Sequence, residues 1–151
     1  MGSLRLQEGS YGEAEDFLRR SVDASPSGAS LNDLAEVLRR TRKLDEAEKF
    51  ARLAVQKSPE LYVAWETLGA TLLDQNKNLD EAERAVLKAV DLFKDDVRIR
   101  ITLARIYLKK GDIERARESI RQIKARQSEL SAFDQAELAR LAEEAAAGRK
   151  R

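Results

Sequence analysis

The chain has 151 residues, the size of one ordinary domain or a short array of repeats, and it contains neither cysteine nor histidine. Those two zeros exclude disulfide scaffolds, Cys/His zinc sites, Cys–His and Ser–His–Asp nucleophile systems, and imidazole acid/base chemistry near neutral pH. Charged residues make up 36% of the chain, yet 28 Lys+Arg against 27 Asp+Glu leave a net of +1, so no strong overall field draws it to nucleic acid or anionic lipid. Aromatics at 5%, with only 7 glycines and 2 prolines, point to a helical chain.

A short phrase returns along the chain: Gly9-Ser-Tyr-Gly-Glu-Ala14-Glu, Lys43-Leu-Asp-Glu-Ala47-Glu, Asn78-Leu-Asp-Glu-Ala82-Glu and Gly111-Asp-Ile-Glu-Arg-Ala116-Arg. Its alanines lie 33, 35 and 34 residues apart. A period in this range predicts a stack of similar units, none of which buries enough surface alone. Pro26, Pro59, Lys94-Asp95-Asp96 and Ser128 follow each phrase and punctuate the array.

In chain order, residues 4–27 form a truncated first unit. Only Leu4 to Glu8 stand where a first helix belongs, Gly9-Ser10-Tyr11 is expected to turn, and Ala14 begins a second helix. In the second unit, 28–61, Leu31, Leu34, Ala35 and Leu38 share one helical face, and Ala47, Phe50, Ala51 and Ala54 share another. In the third, 62–96, Trp65, Leu68, Gly69 and Leu72 are followed by Ala82, Val86, Ala89 and Val90. An extra residue in the turn Gln75-Asn-Lys-Asn78 should loosen that corner. The fourth, 97–130, carries Leu103, Ala104 and Tyr107, then Ala116, Ile120 and Ile123. Asp45, Asp80 or Asp112 can cap each second helix, and acidic residues there complement the helix dipole. Ser131-Ala-Phe-Asp134 should start a terminal helix over 131–147, with Leu138, Ala139, Leu141, Ala142 and Ala145 inward and a more polar face to water. A basic tail, Gly148-Arg-Lys-Arg, covers 148–151.

Trp65-x-x-Leu68-Gly69-x-x-Leu72 with Ala82 and Val86 closely resembles the tetratricopeptide repeat. So do Leu34-Ala35, Leu38, Ala47, Ala51, Ala54 and Pro59 in the preceding unit, and Leu103-Ala104, Tyr107, Gly111 and Ala116 in the next. The resemblance covers nearly the whole chain. It implies an all-α, right-handed α-α superhelix, a solenoid of antiparallel helix pairs closed by a C-terminal capping helix. The array begins mid-repeat, which favours a piece excised from a longer protein.

The resemblance also implies that first helices line a concave groove where partner peptides bind. Carried over unit by unit, the groove positions are Asn32, Asp33, Glu36 and Arg40; Val63, Glu66, Thr67, Ala70 and Asp74; and Arg98, Ile101, Thr102, Arg105 and Lys109. Residues 61–96 hold four Lys/Arg against eight Asp/Glu and residues 97–127 ten against three, so the near-zero net charge hides a swing from −4 to +7. Arg98 and Arg105 lie two helical turns apart and offer planar donors. With Lys109 they could hold an acidic side chain or chain terminus of a partner, with Val63 and Ile101 as apolar contacts. The bland alternative pairs them locally with Asp112, Glu114 or Glu118. The carboxylate-clamp subclass, which grips the acidic ends of heat-shock chaperones, is excluded, because Thr67 takes the place of its asparagine and Asn32 and Glu36 that of its lysine–asparagine pair.

Trp65 and Tyr107 are expected as packing residues, and Phe17, Phe50 and Phe93 as filler between helices. With the first unit truncated, Leu4, Leu18 and Val22 border an uncovered apolar face that could drive self-association. The leading function is a non-catalytic scaffold for protein–protein interaction. The alternatives are single-stranded RNA recognition, since hairpin repeats can read one base per unit, and an accessory domain of a larger enzyme or secretion machine. An enzyme is not expected, since Asp95-Asp96 and Glu143-Glu144 are sequence neighbours that do not face each other as an acid/base pair must. No cofactor or metal is implied. No apolar run nears the roughly 20 residues of a membrane span, and the start lacks a secretory signal. Met-Gly-Ser is also a common expression-vector scar, so a leader could have been removed. The cysteine-free composition fits the cytoplasm first, and equally a periplasmic protein without disulfides.

Overall fold

The computed structural model describes residues 2–148, with side chains from residue 10 onward. These residues form α1 (Gly2–Ala24), α2 (Gly28–Arg40), α3 (Leu44–Lys57), α4 (Tyr62–Asp74), α5 (Leu79–Leu92), α6 (Val97–Lys110), α7 (Ile113–Lys124) and α8 (Ala132–Ala147), with a 3-10 turn at Gln127–Glu129 and no strand among them. Helices α2/α3, α4/α5 and α6/α7 pair most extensively. Each pair then stacks on the next through α1–α2, α3–α4 and α5–α6, and the first helices α2, α4 and α6 also touch in succession. The result is an all-α helical-repeat solenoid. No described helix is long and apolar enough to cross a membrane.

Local chemistry sets the helix ends. Ser27 accepts from the Ser30 amide, and the Ser30 hydroxyl accepts from the Ser27 amide, a reciprocal capping box behind Pro26. Asp96 and Asp112 cap α6 and α7 by accepting from the Arg98 and Arg115 amides. Asp45 and Asp80 do not cap. Leu44 and Leu79 open α3 and α5, which moves each aspartate into the first turn. There Asp45 accepts from the Gln75 side chain at 3.0 Å and Asp80 pairs with Lys110. The longer third-unit turn is absorbed by two left-handed residues, Asn76 and Asn78, where the neighbouring turns use one each, Arg42 and Gly111. Lys77 and Gln75 tie this corner back to Glu48 and Asp45.

Close approach within a pair requires a residue with almost no side chain. A Cβ added to Gly69 would lie 2.4 Å from Val86 Cγ2 and 3.0 Å from the Ala82 carbonyl oxygen. Ala35, Ala51, Ala82, Ala85, Ala89 and Ala116 are buried at similar contacts, and Leu68, Leu72, Ile99, Leu103, Ile106 and Tyr107 fill the space between units as one continuous core. Trp65 packs against that core and donates from Nε1 to the Pro59 carbonyl at 2.8 Å. The far end is sealed by Leu138, Leu141 and Ala145 of α8 against Val97, Ile101, Ala104, Ile120 and Ile123.

The glutamate that closes each Asp-Glu-Ala-Glu-like phrase is an inter-unit tie rather than only a dipole complement. Glu15 receives Lys43 at 2.9 Å and Glu48 receives Lys77 at 2.9 Å, while Glu83 receives Lys110 and Arg115. Each lysine comes from the inter-helix corner of the following unit. Arg19 and Arg52, four residues on from Glu15 and Glu48, also reach across to Glu46 and Glu81 at 2.6 Å. In the fourth unit Arg117 stands at the glutamate position, and its guanidinium donates instead to the Ala145 carbonyl of α8 at 2.8 Å. Part-exposed pairs of this kind contribute about 0.2–1 kcal/mol each. A buried leucine or isoleucine contributes about 1.5–3 kcal/mol. The ties therefore set register, and the apolar core supplies most of the stability.

Three expectations change at the amino-terminal end. Residues 9–11 do not turn, because α1 runs unbroken through them. Gly12, within this helix, faces open space. Leu18 and Val22 are half-buried rather than uncovered, packing on the cluster of Leu34, Leu38 and Ala47. The Leu4 side chain lies outside the described residues, as do residues 149–151 of the basic tail. Phe17 is not filler, at 65% exposed on the outer side of α1, and Phe93 is partly exposed with its ring stacked on Tyr62 at 4.8 Å.

Gly69→Val should lower stability by about 1–3 kcal/mol through overpacking against Val86 and the α5 backbone. Gly12→Ala, with no neighbour to meet, should raise it by up to about 1 kcal/mol. Urea unfolding followed by circular dichroism measures both. An unaffected Gly69→Val would mean that α4 and α5 separate without cost.

Candidate partner-binding groove

Because α2, α4 and α6 follow one another along one side of the stack, their outward faces form the walls of a single cleft of about 970 Å³. Helix α2 contributes Glu36, Arg39 and Arg40; α4 contributes Tyr62, Val63 and Glu66; α6 contributes Arg98, Ile99, Ile101, Thr102 and Arg105, with its cap Asp96. The fourth wall is α8, through Phe133, Asp134, Glu137 and Arg140. A smaller cavity of about 320 Å³ adjoins it past Arg105 and Arg140, and includes Asp74 and Lys109.

Of the residues expected in the groove, Glu36, Arg40, Val63, Glu66, Arg98, Ile101, Thr102 and Arg105 meet in the cleft, while Asp74 and Lys109 line the adjoining cavity. Four do not join them. Thr67 and Ala70 are 3% and 2% exposed, small residues removed from solvent. Asn32 is 8% exposed, its Oδ1 buried without a hydrogen bond, and Asp33 is exposed outside both cavities. Arg39 was missed, although its spacing of three from Glu36 on one helix was a usable signal. The α8 residues had no such signal, because the terminal helix lies outside the repeat period.

The cleft charges form a lattice. Arg39 grips Glu36 with two donors at 3.0 Å and reaches Asp74 at 2.7 Å with its remaining nitrogen. Arg40 adds a bond to Glu36 at 2.7 Å. Burial works against the charge on Glu36, but the hydrogen bonds and fields of Arg39 and Arg40 outweigh it and hold the carboxyl below its ordinary value. Asp74 also accepts from Arg105 at 3.4 Å, and Arg105 lies 3.8 Å from Glu137, which pairs with Arg140 at 2.7 Å. Arg98 pairs with Asp96 at 2.9 Å. The local partners Asp112, Glu114 and Glu118 go instead to Arg115, Arg117 and Arg121. Glu66 is the exception: the Thr102 hydroxyl donates to it at 2.8 Å, and no cation lies within ion-pair distance among the described residues. Burial pushes its carboxyl up, the nearby Glu36 and Asp96 push the same way, and Thr102 and the field of Arg39 offset only part of this.

The comparisons fit this architecture. Two tetratricopeptide repeat models match residues 75–143 and 1–61, between them most of the sequence. The chain belongs to the tetratricopeptide repeat family. No curated protein matches its sequence. Among solved structures it is similar to a thermophilic tetratricopeptide repeat protein of Thermus thermophilus, at TM-score 0.77 and 18% identity over 97% of this chain and 84% of that one. It is also similar to a tetratricopeptide repeat protein of Parabacteroides merdae, at TM-score 0.73 and 15% identity over 99% of this chain and 59% of that one.

Glu66 binds its proton more tightly in the folded chain than in the unfolded one, so its ionisation weakens the fold as pH rises above the ordinary value of 4.5. Glu36 acts in the opposite sense, supporting the fold above 4.5 and ceasing to do so as pH falls through its depressed value. Thermal melts from about pH 3 to about pH 8, which bracket the ordinary glutamate value, should show Glu66→Gln matching the parent chain at the acid end and exceeding it towards neutral pH. Glu36→Gln should fall below the parent at neutral pH. Parallel curves for Glu66→Gln and the parent would contradict the assignment.

Proposed function

We propose that the cleft between α2, α4, α6 and α8 receives an extended or helical segment of a partner protein, and that the chain is a scaffold with no chemistry of its own. Tetratricopeptide repeats generally mediate protein–protein interaction, and the family is typically non-catalytic. In this reading residues 28–61, 62–96 and 97–130 are the units, each lending its first helix to the groove, and the terminal helix at 131–147 closes it.

The observation that carries the reading is Phe133. It is 81% exposed at the mouth of the cleft, in a chain poor in aromatics, on the same cavity as Val63 and Tyr62. Packing gives no reason for a phenylalanine there, whereas an anchor for a partner side chain does. The ion-pair lattice supports the same reading, since a groove already held in shape loses little freedom on binding. An acidic partner residue would find Lys109 open, but it would have to displace Asp96, Asp74 or Glu137 to reach Arg98 or Arg105.

Panning a phage-displayed random peptide library on the chain tests this. Peptides enriched on the parent should lose about tenfold or more in affinity on Phe133→Ser or Val63→Ser, and nothing on Phe17→Ser, which alters the exposed side of α1. Enrichment that survives both cleft substitutions, or that depends on Phe17, would place binding elsewhere.

A further inference from the structure

We infer that the segment bound in this groove presents a lysine or arginine to Glu66, flanked by apolar residues. The inference rests on the groove reading above and adds the chemistry of the occupant. It follows from which charges in the cleft are already matched. Arg39 is fixed by three hydrogen bonds to Glu36 and Asp74, which use its Nε and both terminal nitrogens. Arg98, Arg105 and Arg140 each face a carboxylate as well. Every cleft arginine thus has its counter-charge inside the protein, and a partner carboxylate would have to compete with it.

Glu66 has none. One of its oxygens accepts from Thr102, and Glu66 lines the same cleft as Val63, a turn earlier on α4, and Ile101 on α6. An acid half-removed from water beside apolar walls is costly to ionise alone. An ammonium or guanidinium entering from the cleft would supply the missing charge where solvent screens it least. The stem of a lysine or arginine suits the route in, because its methylenes can lie along Val63 and Ile101 while the charged head reaches Glu66. Glu36 and Asp96, each paired with arginine, also act on Glu66 with negative charge, and the field of Arg39 acts against them without forming an ion pair to Glu66. Asp134, on the same cleft, forms no ion pair among the described residues, accepts from the Ser131 hydroxyl and acts on Arg98 only through its field. The unmatched charge of the groove is therefore acidic, although its most numerous side chain is arginine.

The experiment uses the same random library on the intact chain, on E66Q and on F133S, which alters the cleft at an exposed side chain, followed by calorimetry with one synthetic peptide enriched on the parent. Glutamine keeps the size of Glu66 and an acceptor for Thr102, and a melt at neutral pH confirms that E66Q is folded. The enriched peptides should share a Lys or Arg at one position beside apolar residues. Replacing that residue by norleucine should weaken binding to the parent about tenfold. E66Q should lose a similar factor, and the two changes together should cost no more than either alone. Enrichment lost on F133S but without a basic residue coupled to Glu66 overturns this inference and leaves the groove reading standing. No enrichment, or enrichment insensitive to F133S, overturns both.

Discussion

Two helices of a pair can lie against each other only where the residue between them has almost no side chain, and the rest of this solenoid depends on that condition. At Gly69 the space for even one methyl group is taken by Val86 and by the α5 backbone. The buried alanines at recurring positions do the same in the other pairs. Close pairing brings the larger residues to the outside of each hairpin, where the next hairpin covers them, so the core grows by stacking and not within a unit. The groove is a consequence: once first helices follow one another at near-constant spacing, their remaining faces form a continuous wall.

Electrostatics refines this arrangement more than it stabilises it. The third unit is acidic and the fourth is basic, and the structure spends much of that difference at their boundary, where Lys110 and Arg115 meet Glu83 and Asp80, and Arg105 meets Asp74. The same contact type recurs at Glu15 and Glu48, so the charge pattern is part of the repeat. A row of such ties, each weak, penalises a slipped register many times over. This also explains why the cationic fourth unit is a poor guide to the ligand. Its charges are largely engaged by the protein itself, and what is left unmatched in the cleft is a carboxylate.

The fold was legible in the sequence because its cause is local and periodic. A three-four-seven spacing of Leu and Ala declares a helical face, and the return of one phrase at 33 to 35 residues declares a stack. The groove was only partly legible. Glu36, Glu66, Arg98 and Arg105 follow from their place between core positions, but Thr67 and Ala70 occupy equivalent places and are buried, because whether a side position faces the groove or a neighbouring helix depends on how closely the helices approach. Arg39 and the α8 residues were not seen. The first reaches the cleft through partners on two helices, and the second enter it from an element outside the repeat.

By itself the sequence determined the type of the elements, their pairing from residue 28 onward, the family, and the small residues on which helix pairing turns, since each is written in nearest-neighbour spacing along one helix, while at residues 9–11 an expected turn is continuous helix. Only the tertiary structure decided which charges are matched. Asp74 meets Arg39 and Arg105 across 35 and 31 residues of chain, and Glu66 is left with a hydroxyl and, among the described residues, no ion pair. A count of charges per unit cannot register this, because pairing energy depends on distance in space and on burial. Both are properties of the stack rather than of any one repeat.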